Sequence, residues 1–385
     1  MREYTEHFLC LQRIIKCAVG NGLDRSGALQ AVLAALLLMR GNEKTMQSKT
    51  TMLGLDFGAS TLKWTLMERG SVKQAQELPL PENLTRDSHI GSVQMMGDTL
   101  RDSIRQNRVG RKPCAVVLPA ENVIVRHLTM PYMTVDQLVL NLPYEFHDFI
   151  KDEKENYFFD YAVVSVHKDE NNSPTELELL AAAVRRDVIA RCRQTLHRAG
   201  LKLERAVPAC IAYGNLLRAY EALDPQPDHP AEYCIADMGH QSIRLYFYRG
   251  SVFETSRIIE YGGQALDALI ADAAAVDPHI AANYKRANYS EVQDIQACHD
   301  LYNRVAVEIM RAVNFYGFNT PNADLQDIYF TGGLAHLTAM TQDIANTLSL
   351  NVHQLDELMP DSLAGPHTVD SCPAVLGALL QGDGK

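Results

Sequence analysis

The sequence is poor in the signals that mark metal-binding and membrane-spanning chains. Its eight cysteines, at 10, 17, 114, 192, 210, 234, 298 and 372, include no two within three positions. There is no C-x-x-C pair and no zinc spacing, and the placing of several in apolar runs predicts reduced, buried thiols. Thirteen histidines are scattered without an H-E-x-x-H, which argues against a metal held by His or Cys. No stretch reaches the ~20 apolar residues of a membrane span. The longest, Ala28–Met39, is broken by Gln30. The opening "MREYTEHF" has no basic n-region and no A-x-A site comes after the apolar run, so no secretory leader is expected. A net charge of -11 argues against nucleic-acid binding and against attraction to an anionic membrane. The P-loop pattern G-x-x-x-x-G-K-[ST] and a G-x-G-x-x-G after a strand are also missing, which excludes the two commonest helix-based phosphate sites.

What is present is a soluble globular composition, 46% apolar and 22% charged over 385 residues, long enough for two domains. Residues 1–50 stand apart, with one or two amphipathic helices expected before a polar stretch. They read either as an appendage or as residues upstream of the working start. From residue 53 the pattern predicts strands at 53–56, 62–68, 72–78, 114–118 and 122–128. A helix is expected from Thr134, interrupted by Pro143. Strands are expected at 157–166 and 177–184, then a helix from Asp187 to Ala199 that stops at Gly200. "DPQPDHPAEY" (224–233), with three prolines, is the expected boundary. The pattern then restarts with strands at 233–237, 243–249 and 252–259, a helix over Glu291–Tyr316, a strand at 327–330 and a last helix near 373–380.

The restart is a repeat. "LGLDFGASTLKWTLMERGSV" (53–72) aligns with "YCIADMGHQSIRLYFYRGSV" (233–252). Asp56 matches Asp237, Gly58 matches Gly239, Thr61 matches Ser242 and Lys63 matches Arg244, and both copies end Arg-Gly-Ser-Val. Each reads as strand, small-residue turn, strand. Glycine lets backbone approach a ligand closely. Successive N–H groups with a Ser or Thr hydroxyl, here Gly58, Ala59, Ser60 and Thr61, make an anion site. An acid beside such a turn can hold Mg2+ through water, and a nearby Lys or Arg on the outgoing strand neutralises phosphate charge. Turn chemistry alone accounts for either copy taken singly; two copies, each opening a lobe, with a later "TGG" at 331–333, point to a nucleotide held from both sides.

This constellation resembles the actin, hexokinase and DnaK superfamily, and more closely its PilM and FtsA branch. Residues 53–68 are similar to the first phosphate motif, 234–247 to the second, and "IYFTGGLAHL" (328–337) to the adenosine motif. The stretch "VVLPAENVIVRHLTMPYMTVDQL", then "PYEFHDFI", "FFDYAVV" and the segment from Glu178 to Tyr220 resemble the branch's first lobe with its inserted subdomain; "IIEYGGQALDALIA" is similar to the segment after the second hairpin.

The resemblance implies a two-lobed actin-like α/β fold, a duplicated ribonuclease-H-like unit. The first lobe would span 52–223 with an insertion at about 133–215, and the second 233–372, with residues 373–385 returning to the first. It implies ATP and Mg2+ as cofactors. The nucleotide would be bound by Asp56, Gly58, Ala59, Ser60, Thr61, Lys63, Asp237, Gly239, Ser242, Gly262, Gly263, Gly332, Gly333 and Leu334. Asp56 and Asp237 would hold the metal through water, and Glu145 would be a candidate to orient water for hydrolysis, with turnover slow or absent. His240 and Gln241 stand where the family has small residues, and Pro143 falls in the helix carrying Glu145.

The implied partner is the N-terminal tail of a PilN-type membrane protein, which would hold the chain at the cytoplasmic face of the inner membrane. A place in the pilus assembly ATPase complex and homo-oligomers are further implications. An FtsA-like division protein is the alternative, weakened because "SCPAVLGALLQGDGK" shows no basic amphipathic tail; a small-molecule kinase is a second, without a recognisable acceptor base. Glu308 and Arg311 sit where the superfamily can contact adenine, but an exposed charged helix face explains them as well. Trp64 reads as core.

Overall fold

The first unit is built on a sheet of five strands, the first and fourth of which run as near-continuous apolar segments. They are β1 (Met52–Phe57), β2 (Thr61–Glu68), β3 (Ser71–Pro79), β6 (Pro113–Leu118) and β10 (Lys202–Pro208), in the order β10-β6-β1-β2-β3. In β1, five of six residues are buried, as expected for a strand covered on both faces. β1 pairs antiparallel with β2 and parallel with β6. The structure, a computed structural model, describes residues 51–81, 84–86, 89–223, 230–360, 363 and 372–380; the expectations for 1–50 lie outside these.

The short strands β4 (Thr85–Arg86) and β5 (His89–Ile90) pair with each other and lead into α1 (Val93–Gln106). Ser92 caps α1 by accepting from the Met95 N–H. Trp64 is fully buried, and its indole N–H donates to Ser103 Oγ on α1 at 3.0 Å, so the polar end of the largest core residue is satisfied. α3 (Arg186–Arg198) lies beside α1, joined by a two-pronged Arg198–Asp98 pair at 3.0 and 2.8 Å. Gly200, at φ +78°, ends it.

A separate three-stranded antiparallel sheet, β7-β9-β8, is formed by β7 (Val123–Pro131), β8 (Tyr157–Lys168) and β9 (Pro174–Arg185). It has its own core, including Leu138, Leu142, Phe146, Tyr157 and Leu179. Thr134 and Gln137 form a capping box at the start of α2 (Val135–Asn141). Pro143 ends that helix, and residues 142–146 wind as a 3-10 turn. The inserted region therefore spans about 123–185, not 133–215. The reason is pairing: β7 is the edge partner of β9, whereas α3 packs on α1 and β10 pairs with β6.

α4 (Ala209–Glu221) comes directly after β10. The compact units divide at Asn215/Leu216 rather than in the proline-rich stretch, and residues 374–380 belong to the first. There α9 (Pro373–Leu379) packs so closely that a Cβ on Gly377 would lie 1.9 Å from the Ala212 carbonyl oxygen; only glycine fits.

The second unit repeats the first sheet. Strands β11 (Glu232–Met238), β12 (Ile243–Arg249), β13 (Val252–Ile259), β14 (Asp327–Thr331) and β15 (Asn351–Gln354) take the order β13-β12-β11-β14-β15. β11 pairs antiparallel with β12 and parallel with β14, as β1 does with β2 and β6. Helices α5 (Gly263–Ala274), α6 (Pro278–Ala287), α7 (Gln296–Asn319) and α8 (Thr338–Thr347) cover it. α7 starts at Gln296, not Glu291, because Asn288, Ser290 and Glu291 adopt left-handed φ of 45–57°, which no helix continues. Among the described residues no helix is long and apolar enough to cross a membrane. The six described cysteines are buried; burial pushes the Cys114, Cys192 and Cys210 thiols up to about 12.

His353 on β15 meets carboxylates at both ring nitrogens, Asp327 at 3.0 Å and Glu357 at 2.9 Å. Both contacts require an N–H, so the imidazolium is the form that fits. Burial opposes the charge, but the two hydrogen bonds outweigh it and raise the pKa. A raised folded pKa gives stability that is complete below the unfolded value of ~6.5 and is lost as pH rises through the folded value. Thermal unfolding is therefore expected to occur a few degrees lower at about pH 8.5 than at about pH 6, and His353→Gln is expected to reduce that drop. An undiminished drop in the variant would show that His353 is not its source.

Candidate functional site

Each hairpin places an acid and a base opposite each other at the base of its turn. In the first unit the ladder pairs Asp56 with Lys63 and Phe57 with Leu62. In the second it pairs Asp237 with Arg244 and Met238 with Ile243. Directly opposed residues lie ~5 Å apart at Cβ, so both turns carry the same polar pair at the same register. Gly58, Ala59 and Ser60 connect β1 to β2, and Thr61 opens β2. The Gly58 carbonyl accepts from Thr85 Oγ1 at 3.2 Å, which ties the first turn to β4.

The second turn is built in more detail. The Gly239 N–H reaches the carbonyls of Asp237 and Ser242, both at 3.1 Å. Ser242 is buried, and its hydroxyl has no hydrogen-bond partner among the described residues. An orphaned buried hydroxyl is costly unless something completes it. The start of α5 lies against this turn: the Gly263 N–H donates to the Gly239 carbonyl at 3.1 Å and the Gln264 N–H to the His240 carbonyl at 2.8 Å. A Cβ on Gly262 would lie 2.5 Å from the His240 oxygen. Gly332, at φ +87°, comes just after β14, and a Cβ there would lie 2.9 Å from Asp237 Oδ1; both the conformation and the space demand glycine. Gly333 opens a short 3-10 turn, and Leu334 is buried within 3.4 Å of where a Gly263 Cβ would sit. Asp237, Gly239, Ser242, Gly262, Gly263, Gly332 and Leu334 thus converge.

Two residues that the spacing did not single out complete this corner. Lys285 on α6 donates to the Gly263 carbonyl at 2.9 Å and pairs with Asp267 at 2.7 Å, both side chains being at least nine-tenths buried. Asp267 Oδ2 also lies 3.9 Å from His240 Nδ1. Burial lowers the Lys285 pKa, and the Asp267 contact opposes the shift. The sequence signal was a lone acid inside the apolar run "ALDALIA", but nothing in it names a partner eighteen positions on. Glu145 is exposed on the 3-10 turn after α2 and makes no hydrogen bond or ion pair among the described residues. Glu308 and Arg311 pair with each other on the exposed side of α7. Among the described residues no group of three or more His, Cys, Asp or Glu is placed to hold a metal by itself.

Two units of identical strand order, each opened by a strand–turn–strand hairpin with an opposed acid and base, define an actin-like α/β protein. The fold matches a solved PilM–PilN type IV pilus biogenesis complex at a TM-score of 0.71 and 20% identity, over 87% of this chain and 98% of that one. It also matches the ethanolamine utilization protein EutJ from Carboxydothermus hydrogenoformans at a TM-score of 0.52 and 12% identity, over 93% and 100% of the two chains. No curated protein matches. Residues 54–360 match the type IV pilus assembly protein PilM family, and the chain belongs to it.

Removing one member of a buried ion pair strands the other. Lys285→Met is expected to destabilise the second unit by about 3–5 kcal/mol, read as a lower denaturation midpoint. Combining it with Asp267→Leu should recover much of the loss. A single variant with an unchanged midpoint would show that the pair carries no such weight.

Proposed function

We propose that this type IV pilus assembly protein is an ATP-binding scaffold that docks the cytoplasmic tail of a PilN-type membrane protein. The observation that carries the nucleotide reading is the repeated acid–base register at two glycine turns, with the unpartnered Ser242 hydroxyl in one of them. In this reading the N–H groups of Gly58, Ala59 and Ser60, with the hydroxyls of Thr61 and Ser242, bind phosphate oxygens, Gly239 leaves the backbone room to approach them, and Lys63 neutralises their charge. Asp56 and Asp237 hold Mg2+ through its waters. Mg2+ takes one or two carboxylates alongside phosphates and keeps several waters, which suits a site without a three-ligand protein cluster. The backbone at Gly262, Gly263, Gly332, Gly333 and Leu334 lies along the nucleoside. Bound Mg2+ would screen phosphate charge; the chain's own residues bind and orient.

Support for the partner comes from the family and from the fold neighbour, which was solved as a PilM–PilN complex. Membrane attachment would run through that partner. An FtsA-like division role has no comparable support. Glu145 remains the proposed water-orienting residue, and turnover is expected to be slow; if Glu145→Gln leaves turnover unchanged, that role is removed.

Titration of ATP with Mg2+ should show binding that Asp56→Ala and Lys63→Ala each weaken by tenfold or more. Unchanged affinity in both would sink the phosphate assignment. A PilN-type N-terminal peptide should bind the full chain. No peptide binding, with or without ATP, would end the docking reading.

A further inference from the structure

The 24-residue helix α7 buries one face in the core of the second unit, through Tyr302, Ile309 and Tyr316 among others. Its opposite face is uncovered. Arg304, Val307, Glu308, Arg311, Phe315 and Phe318 fall within ~100° of the circumference at 3.6 residues per turn. Phe318 is 91% exposed and Phe315 50%, and Val307 is exposed as well. Two aromatic rings one turn apart on a solvent face, with a valine in line, mark an interaction surface rather than scattered exposure.

The charges along this face alternate: Asp300, Arg304, Glu308, Arg311. They sum to zero, although the whole chain is net -11. Glu308 and Arg311 pair with each other, and Arg304 Nε donates to the Asp300 carbonyl at 3.2 Å. Arg257 on β13 lies over the Phe315 ring at 4.4 Å. Acidic surfaces of two copies repel each other, but a balanced, alternating stripe does not repel its own image. The exposed apolar side chains around α2 differ in this respect. Asp136, Glu145 and Asp148 are exposed beside them, and a second copy meeting that patch would set carboxylate against carboxylate.

The stripe of α7 is complementary to itself when one copy is turned end over end. With a two-fold axis at Arg311, Arg304 of one copy faces Phe318 of the other, and Val307 faces Phe315. Each pair is equally far from position 311, seven residues for the first and four for the second. A guanidinium on an exposed aromatic face is a favourable contact, and the valine–phenylalanine contact removes apolar surface from water. Each Glu308 lies one turn from Arg311 of its own copy and one turn from that of the second. The seam from Arg304 to Phe318 is ~21 Å long, and antiparallel helices pack well at such 3–4 spacing.

We propose that α7 is a self-association face, through which two copies of this chain pair antiparallel about a two-fold axis at Arg311. The contact is isologous, each copy giving the same residues. A single helix seam is small for an interface, so the dimer is weak and forms as the local concentration rises. The inference uses the second unit alone and stands apart from the nucleotide and PilN readings.

Sedimentation equilibrium of the full chain tests it. A reversible monomer–dimer equilibrium is expected, which Phe318→Glu and Arg304→Glu each weaken tenfold or more while the melting temperature stays constant. Combining Arg304→Phe with Phe318→Arg exchanges the two facing groups and should restore most of the association. Under mild oxidation Arg311→Cys should cross-link to its own copy above the wild-type background, and Arg304→Cys should not, because its own copies lie at opposite ends of the seam. A monomer at every concentration would overturn the proposal and leave the face to a different partner. A dimer that Phe318→Glu leaves intact would place the contact elsewhere, and cross-linking of Arg304→Cys in preference to Arg311→Cys would rule out this two-fold; either result overturns it equally.

Discussion

The contact on which the second unit depends is the backbone bond from the Gln264 N–H to the His240 carbonyl. It presses the start of α5 onto the turn between β11 and β12. That closeness is why position 262 must lack a side chain, and the turn leaves as little room for one at Gly332 from the other side. Lys285, reaching from α6 to both the Gly263 carbonyl and Asp267, fixes the helix end from behind. A turn held on three sides by backbone and a buried ion pair is pre-organised. The unpartnered Ser242 hydroxyl in its midst is then the exception that a bound anion would resolve.

The two sheets are one plan used twice. Pairing the first strand antiparallel to its hairpin partner and parallel to a later strand puts each turn at the carboxyl end of the parallel strands, where open α/β sheets bind ligands. The opposed Asp56–Lys63 and Asp237–Arg244 pairs result from register alone. The inserted sheet breaks the repeat. It carries its own core and its own exposed apolar side chains around α2.

Much of the fold is legible in the chain. The apolar runs at 53–56 and 233–237 are β1 and β11 with shifts of one residue at either end, because fully buried strands are long apolar segments bounded by turn residues. Gly200 marks the end of α3, and Thr134 with Gln137 marks the start of α2, because capping is local chemistry. The start of α7 is not legible, because the left-handed residues at 288–291 are set by the Asn288 side chain, which accepts from the Gln293 N–H at 3.0 Å. The insertion's limits are hidden for another reason: strand pairing, not composition, decides which sheet β7 and β10 join.

By itself the sequence determined the repeated hairpin, its turn glycines and the acid and base that face each other across it, since all lie within eight residues and obey ladder geometry. Only the tertiary structure decided that Gly262, Gly332 and Lys285 share one corner with Asp237. Their separations along the chain are spanned by helix packing and parallel pairing, which depend on shape and burial summed over whole elements rather than on any local run of residues.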